Sequence, residues 1–154
     1  MCKYCNCNSD YKLTKNVMKF LNFIYSTKNK KISFDIHGVI DTFPEFFSHL
    51  SKVCKERNHK VYIVTGNMKN EKILKEIESY DIVYDDFFSV SDYLIKNGHK
   101  VFFKDEDHPY FDVDLWNKTK GEFCKSEKID IHFDDKIEYK EFFDETITTF
   151  ILIK

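Results

Sequence analysis

The chain has 154 residues and a net charge of −2, from 24 Lys and Arg against 26 Asp and Glu. That is room for one core, with no global positive field for bulk nucleic-acid binding. Four Gly and two Pro exclude collagen-like and Pro/Gly-rich disordered chains. No apolar run reaches the roughly 18 residues of a membrane span. The first residues carry no apolar signal-peptide core, so a cytoplasmic location away from membranes is expected.

Ala and Gln are absent and Arg57 is the single arginine, so any helices must be held by packing rather than by Ala-rich propensity. Near the start, Cys2, Cys5 and Cys7 form CxxCxC. Thiolates that close together suit zinc or redox chemistry, but a second ligand pair at suitable spacing is missing, and a tail carrying thiols is the plainer reading. Val17, Phe20, Leu21 and Ile24 recur at helical spacing and predict an amphipathic helix over roughly 11–26. Residues 1–30 are thus expected to form a tail and a helix packed on a domain spanning 31–154.

From Lys31 onward, strands alternate with helices. Lys31–Ile36 reads as a strand. Pro44 opens a helix running to about Glu56. Lys60–Thr65, rich in β-branched residues, is the second strand. Asn70–Ser79 is a helix, Asp81–Tyr84 a short strand, and Val90–Lys96 a helix stopped by Asn97-Gly98. Lys100–Phe103 is a strand and Lys104–Pro109 a polar loop. Thr119–Lys125 is helical, Ile129–Phe133 a strand, Ile137–Phe143 a short helix and Ile147–Ile153 the last strand. The alternation predicts an α/β, three-layer Rossmann-like fold with a mainly parallel central sheet. Ligands in such folds bind outside the carboxyl ends of the strands.

Chemistry-bearing residues follow three of these strands. Asp35-Ile36-His37-Gly38-Val39 ends the first, Thr65-Gly66-Asn67 the second, and Asp134-Asp135 the strand Ile129–Phe133. Adjacent carboxylates at a buried strand end repel unless a cation sits beside them. Mg²⁺ takes oxygen ligands and tolerates one or two carboxylates plus a phosphate. Gly38 and Gly66 fall where a sharp turn lets backbone approach a ligand. His132 alternates with apolar residues and reads as structural. Asp105-Glu106-Asp107-His108 reads as a solvated acidic loop. Tyr110, Phe111 and Trp116 suit either core packing or stacking on a nucleobase. Cys54 and Cys124 read as buried small hydrophobes.

These stretches resemble the motifs of the haloacid dehalogenase superfamily of phosphohydrolases, whose first motif DxDG[TV] here reads DIHGV. The second, a Thr or Ser ending a strand, reads YIVTG. The third, a Lys before the last motif, is Lys120 or Lys118 in WNKTKGEFC. The fourth, an acidic pair, is IHFDD. The resemblance covers about 31–154. It implies that Asp35 attacks phosphorus and forms an aspartyl-phosphate, and that Asp35, the residue 37 carbonyl, Asp134 and Asp135 hold Mg²⁺. It further implies that Thr65, with Gly66 and Asn67, holds the phosphoryl oxygens, that Lys120 neutralises charge, and that Glu138 orients a metal-bound water. Lys120 is preferred to Lys118 because Thr119 can cap a helix and leave Lys120 in its first turn. The departure is His37, where the family has a second Asp that protonates the leaving group.

The expected activity is therefore a Mg²⁺-dependent phosphomonoester hydrolase acting on a phosphorylated small molecule, with a nucleotide as one candidate. No large cap is expected. Only the loop near 104–115 is available as a small lid, and a homodimer is a candidate cover for the open site. Two other readings stay open: a catalytically impaired protein of the same fold that binds phosphate or metal, and a Cys-rich metal-binding interaction protein.

Overall fold

The computed structural model describes residues 18–105 and 108–154. Cys2, Cys5 and Cys7, and Glu106 and Asp107 of the acidic loop, lie outside what it describes. Residues 18–26 are helical (α1). There follow β1 (Lys31–Phe34), α2 (Pro44–Glu56), β2 (Lys60–Thr65), α3 (Glu71–Ser79), β3 (Asp86–Ser89) and α4 (Val90–Lys96). Next come β4 (Phe102–Asp105), β5 (His108–Tyr110), α5 (Val113–Glu127), β6 (Ile131–Asp134), a 3₁₀ helix (Ile137–Phe142) and β7 (Thr149–Leu152). No helix among the described residues is long and apolar enough to cross a membrane.

Five strands form one parallel sheet in the order β3-β2-β1-β6-β7. The fold is the expected three-layer α/β architecture. Strand β1 lies in the middle, and the chain leaves it for β2 on one side and returns later through β6 on the other. That reversal of strand order opens a crevice at the carboxyl ends of β1 and β6.

Alternation along the strands sorts side chains between two faces. On one face Ile32, Phe34, Val61, Ile63, Ile131 and Phe133 join residues of α1, α2 and α3 in the larger core. Phe34, Phe47 and Phe133 meet edge to face, with ring centroids 5.0–5.6 Å apart. On the other face Tyr62 and Val64 meet Cys124, Ile129 and Phe143 beneath α5. There β1 and β6 present Ser33 and His132, both fully buried. The sheet is thus apolar on both faces except for a polar strip that leads to the site.

Helix starts follow local chemistry. The side chains of Asn70, Ser89 and Asp112 accept from the amides of Ile73, Asp92 and Leu115, capping α3, α4 and α5. Pro44 begins α2, where its missing N–H costs nothing.

The structure departs from the sequence reading at three elements. The third strand is Asp86–Ser89, not Asp81–Tyr84. Asp81 takes a left-handed conformation (φ 55°), and Asp85 closes onto Val61 through its amide (2.7 Å) and its carboxylate (2.8 Å). Pairing therefore starts one residue later, at Tyr62 with Asp86. The strand expected at Lys100–Phe103 is β4, and it pairs only with β5 in a separate antiparallel hairpin, where a polar loop was expected. Helix α5 starts at Val113, six residues before the expected Thr119.

Candidate active site

Strand β1 ends in Asp35, and a tight turn over Ile36–Ile40 follows, closed by the Asp41 amide on Ile36 O (3.1 Å). Gly38 sits in it at φ +80°, and its amide donates to Asp41 Oδ1 at 2.7 Å. A Cβ at position 38 would fall 2.3 Å from the Asp135 carboxyl carbon. Glycine is needed here both for the dihedral and for the approach of Asp135.

Lys120 reaches this edge from the middle of α5, with its side chain 2% exposed. Its Nζ donates to Asp35 Oδ2 at 2.5 Å and to Asp134 Oδ2 at 2.7 Å. Lys118 points elsewhere, half exposed and 3.8 Å from Glu122. So Lys120 is the lysine that the fold brings in, but the reason differs from the expected one. Thr119 is not a cap; it lies mid-helix and its hydroxyl donates to Leu115 O at 2.6 Å. The neighbour at Gly121 is equally constrained, since a Cβ there would strike the Phe142 carbonyl at 2.2 Å. That close approach seats α5 against the 3₁₀ helix.

Asp134 is fully buried. His132 Nε2 donates to its Oδ2 at 3.1 Å, and the Lys136 amide donates to its Oδ1 at 2.9 Å. Ser33 Oγ donates to His132 Nδ1 at 2.7 Å. Burial alone would raise the Asp134 carboxyl, but Lys120 and His132 outweigh it and hold the group far below the usual carboxylate range. Lys120 is likewise pushed down by burial and then well above its ordinary value by Asp35 and Asp134. Burial dominates at His132 and lowers it, which disfavours the charged imidazolium. His132 is thus buried in the strand and fixes a carboxylate of the site.

Asp135 is partly exposed, with Lys136 Nζ 3.0 Å away on the solvent side. Carboxylate oxygens of Asp35, Asp134 and Asp135 lie within 4.8 Å of one another. Two of these carboxylates share the buried Lys120 ammonium, and the third pairs with the exposed Lys136. An all-oxygen set of this kind could hold a hard divalent cation.

On the β2 side, Gly66 and Asn67 line the same cleft. Thr65 does not; it is fully buried, and its hydroxyl donates to Asn67 Oδ1 at 3.1 Å. His37 lines the cleft with its ring held between two oxygens, Asn67 Oδ1 and Glu76 Oε1, each 3.0 Å away. Glu138 stands exposed on the 3₁₀ helix and does not line the cleft.

The cleft has a volume of about 260 Å³. Pro109 and Tyr110 of the hairpin, with Trp116 and Tyr139, complete its wall. Of the stretch 104–115, Pro109 and Tyr110 line the cleft. Sequence reasoning missed Glu76 and Tyr139. Glu76 sits in an exposed, charge-rich helix with nothing local to mark it. Tyr139 receives the Trp116 Nε1 hydrogen bond at 3.1 Å, and its ring lies 4.8 Å from Lys120 Nζ.

No family model, curated protein or solved structure matches the chain.

Proposed function

We propose that the protein is a phosphomonoester hydrolase of the haloacid dehalogenase kind, with Asp35 as its nucleophile. The observation that carries this reading is Lys120, buried between Asp35 and Asp134 at the strand edge beside Asp135. A buried lysine shared by two carboxylates is costly to maintain for stability alone. As part of a phosphoryl-transfer site it stabilises charge that develops on the transferred group.

In this reading an Asp35 carboxylate oxygen attacks phosphorus while the bond to the substrate alcohol breaks. The leaving oxygen takes a proton, and water then cleaves the acyl phosphate to regenerate Asp35 and release phosphate. Lys120 and the Gly66-Asn67 segment hold the phosphoryl oxygens, with Thr65 acting through Asn67. Asp35, Asp134, Asp135 and the His37 carbonyl would hold Mg²⁺, which supplies Lewis-acid neutralisation of the phosphate. His37 is the proton carrier, oriented by Asn67 and Glu76. A well-placed group of that kind contributes about 10²–10⁴-fold.

One observation favours a second reading, in which the site binds phosphate without turnover. Both His37 nitrogens already face oxygen partners, which limits the proton transfer expected of that position.

Hydrolysis of p-nitrophenyl phosphate with Mg²⁺ separates the two. The wild type is expected to turn over, and Asp35→Asn to lose at least roughly 10³-fold, as removal of a nucleophile does. Full activity in Asp35→Asn ends the nucleophile assignment. An inactive wild type that gains activity with His37→Asp supports the binding-only reading.

A further inference from the structure

Three aromatic rings line the cleft beside the carboxylates, and they are not equivalent. Tyr139 is occupied by the Lys120 ammonium on its ring and by Trp116 Nε1 on its hydroxyl. Trp116 is stacked on Phe111, with centroids 5.7 Å apart and planes 17° from parallel. Its far edge covers Gly66 so closely that a Cβ there would lie 2.6 Å from Cζ2. These contacts fix Trp116 in plane and position. Tyr110 differs: it projects from the exposed hairpin, is 54% exposed, and has no ring or cation contact among the described residues. Pro109 stiffens the backbone just before it.

An exposed ring is unremarkable alone, but this one shares a 260 Å³ cleft with Asp35, Lys120 and Asn67. That volume lies just below the roughly 300–1,000 Å³ of small-molecule sites. It has room for a phosphate and one flat ring system.

We infer that Tyr110, which lines the same cleft as the fixed Trp116, forms a stacking subsite, and that the substrate is a phosphomonoester whose alcohol carries a flat aromatic ring. The location of its phosphate rests on the phosphohydrolase reading above. Two sources supply such a ring: the base of a nucleoside monophosphate and the ring of an aryl phosphate. In both, the phosphate sits at the carboxylate edge while the ring stacks under the hairpin.

Matched pairs test this. Uridine 5′-monophosphate and ribose 5-phosphate differ by the base; O-phosphotyrosine and O-phosphoserine differ by the aryl ring. With Mg²⁺, the ring-bearing member of at least one pair should show a kcat/KM about 5- to 150-fold higher, the range that ring stacking supplies. The pair that responds names the source. Tyr110→Ala should bring that ratio to within about threefold, and Tyr110→Phe should keep it. Ratios near one in both pairs overturn the subsite while leaving the hydrolase reading standing.

If none of the four compounds is hydrolysed, the hydrolase reading falls and binding decides the subsite separately. Trp116 is the single tryptophan, so its fluorescence reports on the cleft. Quenching by a ring-bearing compound at lower concentration than by its ring-free partner, weakened in Tyr110→Ala, upholds the subsite. Equal titrations of both partners, or no response to either, overturn it.

Discussion

Lys120 and the two carboxylates it joins form a charge group that water barely reaches. Removing the ammonium leaves Asp35 and Asp134 facing each other without compensation. Lys120→Met is expected to cost about 3–5 kcal/mol of stability, measured by denaturant unfolding without divalent ions. Mg²⁺ should then raise the melting temperature of the variant more than that of the wild type, because a bound cation stabilises the folded state by linkage. The absence of any Mg²⁺-dependent shift in both proteins would argue against a cation among these three carboxylates. At Glu76, replacement by Gln keeps the shape but withdraws the charge facing His37 Nε2. The expected result is a fall in kcat of about tenfold or more with KM nearly unchanged, the pattern for a group acting in the transition state. A change confined to KM would make Glu76 a binding residue instead.

Among the elements, β3 shows how one side chain resets a strand. Asp85 ties the preceding loop to Val61 and Lys55, and pairing with β2 begins immediately after it. Burial acts to raise the Asp85 carboxyl, yet the Lys55 hydrogen bond and the Val61 amide outweigh it and hold it below its ordinary value. A depressed folded value means the contribution to stability is complete above the unfolded value of about 3.9. It is lost as pH falls through the folded value. Asp85→Asn should therefore flatten the acid limb of a stability–pH curve below about pH 4 and change its shape little above that. The sequence reading placed this strand on Asp81–Tyr84, a stretch that contains the apolar residues Ile82, Val83 and Tyr84. Burial of Ile82 in the core does not require a ladder, and the left-handed Asp81 with the Asp85 clamp prevents one there. The starts of α2, α3 and α4 were more legible. Asn70, Ser89 and Pro44 act within one turn of their own positions, so a few neighbouring letters suffice.

For the whole molecule, the two-sided core predicts where thiol reagents fail. Cys54 lies in the core beneath α2 and Cys124 in the one beneath α5, and burial pushes both thiols up to about 12. The thiolate is the reactive form. Under native conditions peptide mapping should find both unmodified by iodoacetamide, and denaturant should expose both together if the domain unfolds as one unit. Early labelling of Cys124 alone would show that α5, and Lys120 with it, opens separately from the rest.

The sequence by itself determined the alternation of strands and helices and the parallel sheet it implies. It also placed Asp35, Gly66, Asn67 and the pair Asp134-Asp135 at strand ends. Those features depend on periodicity, capping and turn chemistry within a few residues. Only the tertiary structure decided which lysine enters the site, that β4 and β5 pair outside the main sheet and put Pro109 and Tyr110 on the cleft wall, and that Glu76 holds His37. Each of these is a contact between residues far apart in the chain: Lys120 meets Asp35 across 85 positions and Glu76 meets His37 across 39. Such contacts depend on how each helix is rotated and seated against the sheet, as Gly121 seats α5 on the Phe142 carbonyl. No local pattern carries that rotation, because packing of the whole core sets it.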